Sequence, residues 1–170
     1  MSGKRQQEDQ MNPIIKELIR KLEGKEEGEE KREKAKSITE LLSERDIFHP
    51  DGYANKVMEH INNSKGQKVK ITSVQLRRVF YEFKTIVNEL KKEKKKEMDA
   101  DPNKAIERAM GRLYRLYAIL EYQTNRGVLN EDFKRLMFAL FNNIERHKSI
   151  EAFEKAHDFL MAMVAYSKKS

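Results

Sequence analysis

The chain has 170 residues, 38% hydrophobic and 37% charged, enough for one domain whose apolar side chains must gather on narrow helical faces to form a core. Seven Gly and three Pro are too few turn formers for a protein of many short strands, and zero cysteines exclude disulfides, thiolate catalysis and Cys-based zinc sites. A net charge of +7 and a pI near 9.4 attract polyanions or anionic membranes, but no apolar run nears the ~18 residues of a membrane span and no signal-peptide core follows Met1-Ser2-Gly3-Lys4-Arg5, so a cytoplasmic protein is expected.

From the N-terminus, Ile14, Ile15, Leu18, Ile19 and Leu22 lie on one helical stripe that opens at Pro13 and closes before Gly24. Lys25 to Lys36 is almost purely charged and predicts a mobile linker. Residues 1–46 hold 11 basic and 12 acidic side chains, so this arm adds nothing to the positive field, and its expected job is packing or contact with a protein partner. We divide the chain into this helical arm with its linker, 1–46, and a helical bundle domain, 47–170.

Ser37 to Ile47 predicts one weak helix, broken by His49-Pro50-Asp51-Gly52, with Asp51 placed to cap the next helix. Tyr53, Val57, Met58 and Ile61 follow at helical spacing, ending in the turn Asn62-Asn63-Ser64-Lys65-Gly66. Lys68 to Ile71 is a brief extended link. Thr72 or Ser73 then caps a long helix with the stripe Leu76, Val79, Phe80, Phe83, Ile86, Val87 and Leu90. Its tail, Lys91 to Glu97, should project into solvent.

Asp101-Pro102 restarts the chain as N-cap and first helical residue, with Ile106, Ala109, Met110, Leu113, Leu116, Tyr117 and Leu120 as the stripe and Gly127 as the end. Asn130-Glu131-Asp132 starts a helix with the stripe Phe133, Leu136, Met137, Leu140, Phe141 and Ile144. His147-Lys148-Ser149 breaks it. Phe153, Ala156, His157, Leu160, Met161 and Val164 are the expected buried face of the last helix, before a frayed tail from Ser167. The fold class is all-α, a compact antiparallel bundle.

No chemistry of catalysis emerges. The four histidines lack the Glu-x-x-His spacing of bundle metal sites, with His157 expected in the core and the rest at the surface. There is no phosphate-cradling glycine loop and no Gly-x-Ser-x-Gly elbow. Acid pairs such as Glu29-Glu30 lie in polar links where nothing would raise a carboxyl pKa. We expect no enzyme activity, no metal and no cofactor.

What remains is localised charge. Residues 65–97 carry 11 basic and 4 acidic side chains, a surplus equal to that of the whole chain. On the long helix Arg77, Tyr81, Lys84 and Asn88 recur at i, i+4, i+7 and i+11, one face offering cations to phosphates and an aromatic ring to an unpaired base, with Arg78 beside it. On the next helix Arg108, Arg112 and Arg115 repeat at i, i+4 and i+7, with Tyr122 and Arg126 further along. Two such faces on neighbouring helices would form a groove. Single-strand binding fits better than duplex reading, since no Asn or Gln stands among base-reading arginines. A basic helix face also arises simply to solvate a surface. Two further functions stay open: a DNA-binding regulator that uses Thr72 to Asn88 as a recognition helix, and a helical protein-interaction scaffold.

Three blocks resemble a known family. Lys70-Ile71-Thr72-Ser73-Val74-Gln75-Leu76-Arg77 is similar to a Thr-Ser-x-x-Leu-Arg helix start, Leu113 to Arg126 carries Tyr117-Ala118 and a closing Asn125-Arg126, and Phe153 to Lys168 contains Phe159-Leu160-Met161-Ala162-Met163-Val164-Ala165-Tyr166. Together they resemble the small helical subunit of type III-A CRISPR-Cas interference complexes. The resemblance covers the C-terminal two-thirds; the arm up to about residue 46 is longer and more charged than the family requires. It implies a non-catalytic subunit, self-associated in several copies and held among other subunits, that lines the channel for single-stranded guide and target RNA. It also implies RNA contacts at Thr72, Ser73 and Arg77, and at Arg126.

Overall fold

The computed structural model describes residues 11–24, 35–63, 69–96 and 101–167. Within them lie eight helices: α1 (Pro13–Glu23), α2 (Ile38–Leu41), α3 (Glu44–Phe48), α4 (Tyr53–His60), α5 (Ser73–Lys96), α6 (Pro102–Asn125), α7 (Glu131–His147) and α8 (Ile150–Tyr166). There is no strand among the described residues. Residues 25–34 of the linker expected over 25–36, 64–66 of the turn expected over 62–66 and 168–170 of the tail expected from 167 lie outside them.

Local chemistry places most helix ends as the sequence requires. Asn12, Asp101, Asn130 and Ser149 cap α1, α6, α7 and α8 through their side chains, with Pro13 and Pro102 opening α1 and α6. Gly24 ends α1 in the left-handed conformation. Thr72 and Gln75 form a reciprocal capping box at the start of α5, the Thr72 hydroxyl accepting from the Gln75 amide at 3.1 Å while the Gln75 side chain accepts from Thr72 N.

Two expectations fail here. Ser37 to Ile47 is not one helix, because Leu42 is extended and Ser43 opens a new helix in a capping box with Asp46. Asp51 does not cap α4. Gly52 takes the N-cap position, where an added Cβ would meet Asp46 O at 2.4 Å. Asp51 lies 3.8 Å from Arg45 and 3.7 Å from His49 instead.

The core is one continuous cluster drawn from all eight helices. Phe83 of α5 stands at its centre, stacked on Phe141 of α7 at 5.7 Å and on Phe153 of α8 at 6.2 Å. α5 packs along α6 on one side and α8 on the other, while α7 packs on α6 and α1, and α4 on α8. Three stripe residues of α8 correct the sequence expectation, Val164 among them, which is half-buried. Met161 is 41% exposed, since Phe159 and Met163 take the inward row. His157 is half-buried at the edge of the core, its ring 5.2 Å from Phe80.

α1 reaches the same core. Ile15, Leu18 and Leu22 are fully buried, and α7 receives the chain on either side of residues 25–34. Asn143, wholly buried, donates to Leu22 O at 3.0 Å and Lys36 O at 2.8 Å and accepts from Ile38 N at 2.8 Å. Arg146 donates to Glu23 O and the His147 ring meets Ala35 O at 2.7 Å. The link before α5 is fixed in the same manner: Asn62 exchanges two hydrogen bonds with Ile71, and Asn130 donates to Val69 O. These amides set where α5 begins, and therefore the height of its basic face beside α6.

Candidate nucleic-acid interface

On α5, Arg78, Tyr81, Lys84 and Asn88 are exposed and Arg77 is half-buried. Thr72 is exposed at the helix start with its hydroxyl accepting in the capping box, and Ser73 occupies the first helical position. Lys84 Nζ lies 5.9 Å from the centre of the Phe80 ring, the ring that also stands 5.2 Å from His157 of α8. Tyr81 stands 57% exposed with its ring 5.6 Å from that of Phe80.

On α6 the expected row of arginines divides by partner. Arg108 Nη1 lies 3.2 Å from Glu93 Oε2. Arg112 Nη2 meets Glu89 Oε2 at 3.0 Å and Glu93 Oε1 at 3.2 Å. These pairs fasten α6 to α5, so the positive charge of both arginines is already offset within the fold. Arg112 Nη1 is buried without a hydrogen-bond partner among the described residues. Arg115 is exposed and makes no ion pair among the described residues. One and two turns further, Ile119 is 43% and Tyr122 59% exposed, and the Arg126 guanidinium lies 5.6 Å over the Tyr122 ring.

The two helices border an open groove of about 510 Å³. Ile86, Leu116 and Ile119 give it an apolar lining, joined by Tyr81, Glu82, Thr85 and Glu89 from α5 and by Arg112 and Arg115 from α6. Of the α5 face expected from spacing, Tyr81 lines this groove; Arg77, Lys84 and Asn88 do not. The structure thus brings Tyr81, Arg112 and Arg115 together and leaves Lys84 and Asn88 on an adjoining surface.

Charge at the site is tuned by these pairs. Burial pushes the Glu93 carboxyl up, but hydrogen bonds and charge from Arg112 and Arg108 outweigh it and hold Glu93 below the usual carboxylate range. On the α7 side of α6, away from the groove, burial, with Glu145 and Tyr114 adding to it, pushes the Tyr117 hydroxyl well above its ordinary value. That hydroxyl donates to Asn142 at 2.7 Å. Sequence reasoning missed the acidic half of the α5–α6 clamp. Its signal was present: Glu89 and Glu93 stand four apart on one helix, as Arg108 and Arg112 do on the next.

Among the described residues no three His, Asp or Glu side chains converge as metal ligands, and no helix there is long and apolar enough to cross a membrane. Fold and surface together define a small all-helical protein with an exposed basic and aromatic face. Residues 52–170 match the family model described as Csm2 Type III-A, and the chain belongs to that family, the small subunits of type III-A CRISPR effector complexes. No curated protein and no solved structure matches the chain.

Proposed function

We propose that this subunit is non-catalytic and grips the backbone of guide and target RNA along the effector complex, in the cytoplasm, present in several copies among other subunits and needing no cofactor. The observation that supports this reading most strongly is the pairing of unspent cations with exposed rings on one strip of α6 and its rim on α5: Arg115 beside the groove, Arg126 over Tyr122, and Arg78 and Tyr81 opposite. Cations hold phosphates at a distance set by the fold, while rings accept any base face. Sequence is then supplied by guide pairing.

Within the proposed contact set of Thr72, Ser73, Arg77, Arg78, Tyr81, Lys84, Asn88, Arg115 and Arg126, the hydroxyls and amides at the start of α5 supply neutral donors for a phosphate. Arg108 and Arg112, also proposed contacts, serve first as the clamp that keeps α6 against α5 and reach RNA only by sharing their guanidinium groups with Glu89 and Glu93.

The test is titration of the purified protein against unstructured RNA and duplex DNA at two salt concentrations. Changing Arg115 and Arg126 together to Glu is expected to weaken RNA binding at least about tenfold and to flatten the salt dependence by about 1.4 in log–log slope, the loss of two single-strand phosphate contacts. Sequence-dependent binding to duplex DNA, or RNA binding untouched by the double change, would overturn the reading. Adding divalent metal ions to the RNA complex should yield no cleavage products.

A further inference from the structure

The groove between α5 and α6 is poorly made for a phosphate. Two carboxylates, Glu82 and Glu89, line it beside two arginines, and Arg112 is already committed to Glu89 and Glu93. A phosphate inside would meet the carboxylate charge of Glu82, which is exposed and has no ion-pair partner among the described residues. Its apolar lining of Ile86, Leu116 and Ile119, with the Tyr81 ring at one wall, suits a flat apolar face. The volume of about 510 Å³ accommodates a nucleobase with its sugar.

We infer that this groove takes an unpaired nucleobase bearing an exocyclic amino group, with Glu82 accepting from the amino hydrogens and Tyr81 against the ring. The chemistry of the edge decides the preference. Cytosine presents an amino donor where uracil presents a carbonyl, so a carboxylate attracts the first and repels the second, while ring size and stacking are nearly the same. Arg115, at the same groove and unspent, meets the phosphate of the seated nucleotide. The inference rests on the RNA-binding reading and adds to it a preference among bases that backbone contacts alone would not create.

The full chain is titrated with cytidine and uridine oligonucleotides of equal length, about 12 nucleotides, at neutral pH and fixed salt. Cytidine is expected to bind about tenfold tighter, the worth of a hydrogen bond to a charged acceptor set against a repelled carbonyl. Glu82→Gln, an exposed and isosteric change, should bring the two affinities together, since an amide can donate to uracil as well as accept from cytosine. Glu151→Gln, an exposed carboxylate on α8, should leave the ratio unchanged. Arg115→Glu should weaken both oligonucleotides alike. Equal binding of the two oligonucleotides to the unaltered protein, or a cytidine preference that survives Glu82→Gln, overturns the base site while leaving backbone binding standing; binding of neither overturns both. Circular dichroism of each variant confirms that the helices persist.

Discussion

Asn143 illustrates how much one polar side chain does inside this fold. Its amide and carbonyl hold Leu22 O, Lys36 O and Ile38 N in a site sealed from water. Asn143→Ala removes all three bonds and strands their partners, so a loss of about 3 kcal/mol is expected. Urea unfolding followed by circular dichroism measures it, and a loss below about 1 kcal/mol would show that water replaces the amide. Asn143→Asp should be worse, because a carboxylate cannot donate to two carbonyls and brings a buried charge. The position was legible in part: residue 143 lies three after Leu140 and seven after Leu136, on the buried stripe of α7. What a single stripe cannot say is which carbonyls from residues more than 100 positions away will meet it. The same limit applies to Arg112, whose spacing marks a cationic face but whose partners, Glu89 and Glu93, lie on another helix.

At the scale of elements, helix starts were the most legible feature because caps are local. Thr72, Asp101-Pro102 and Asn130 act where the sequence places them. The miss over Ser37 to Ile47 was also local: Ser43 and Asp46 carry the reciprocal cap that starts α3, and Leu42 turns extended to allow it. Packing between α5 and α6 is a different matter, and its electrostatics give a pH prediction. Glu93 is held below its ordinary value of 4.5 by Arg112 and Arg108. A lowered carboxyl pKa contributes stability that is fully present above the unfolded value and is lost as pH falls through the folded one. Glu93→Gln should therefore cost about 1 kcal/mol at neutral pH. Thermal melts of the two proteins at a series of pH values should converge as acid protonates Glu93 in the unaltered chain. A gap that persists unchanged at low pH would mean that Glu93 stabilises by packing alone.

For the whole molecule, composition marks residues 1–46 as an arm apart from the bundle, while the family match covers residues 52–170. The packing argues that the arm is needed for the bundle to hold together. Ile15, Leu18, Leu22, Ile38 and Leu42 are all buried to within 1%, and α7 spends Asn143, Arg146 and His147 on holding the chain around them. Charge balance hides this, because twelve acids and eleven bases outweigh the apolar residues in any average over the segment, although the apolar ones decide burial. Returning five such side chains to water removes roughly 10 kcal/mol, as much as the entire stability of a typical domain. A chain beginning at residue 47 is therefore expected to lose its cooperative melt, to bind an apolar dye through the uncovered face of α7, and to self-associate in size-exclusion chromatography. Restoring α1 by adding residues 11–24 as a separate peptide should recover part of the helicity only if the apolar stripe is intact, so a peptide with Leu18→Asp serves as its control. A truncated chain that melts within a few degrees of the full one, with no dye binding, would show instead that residues 47–170 hold a sufficient core of their own.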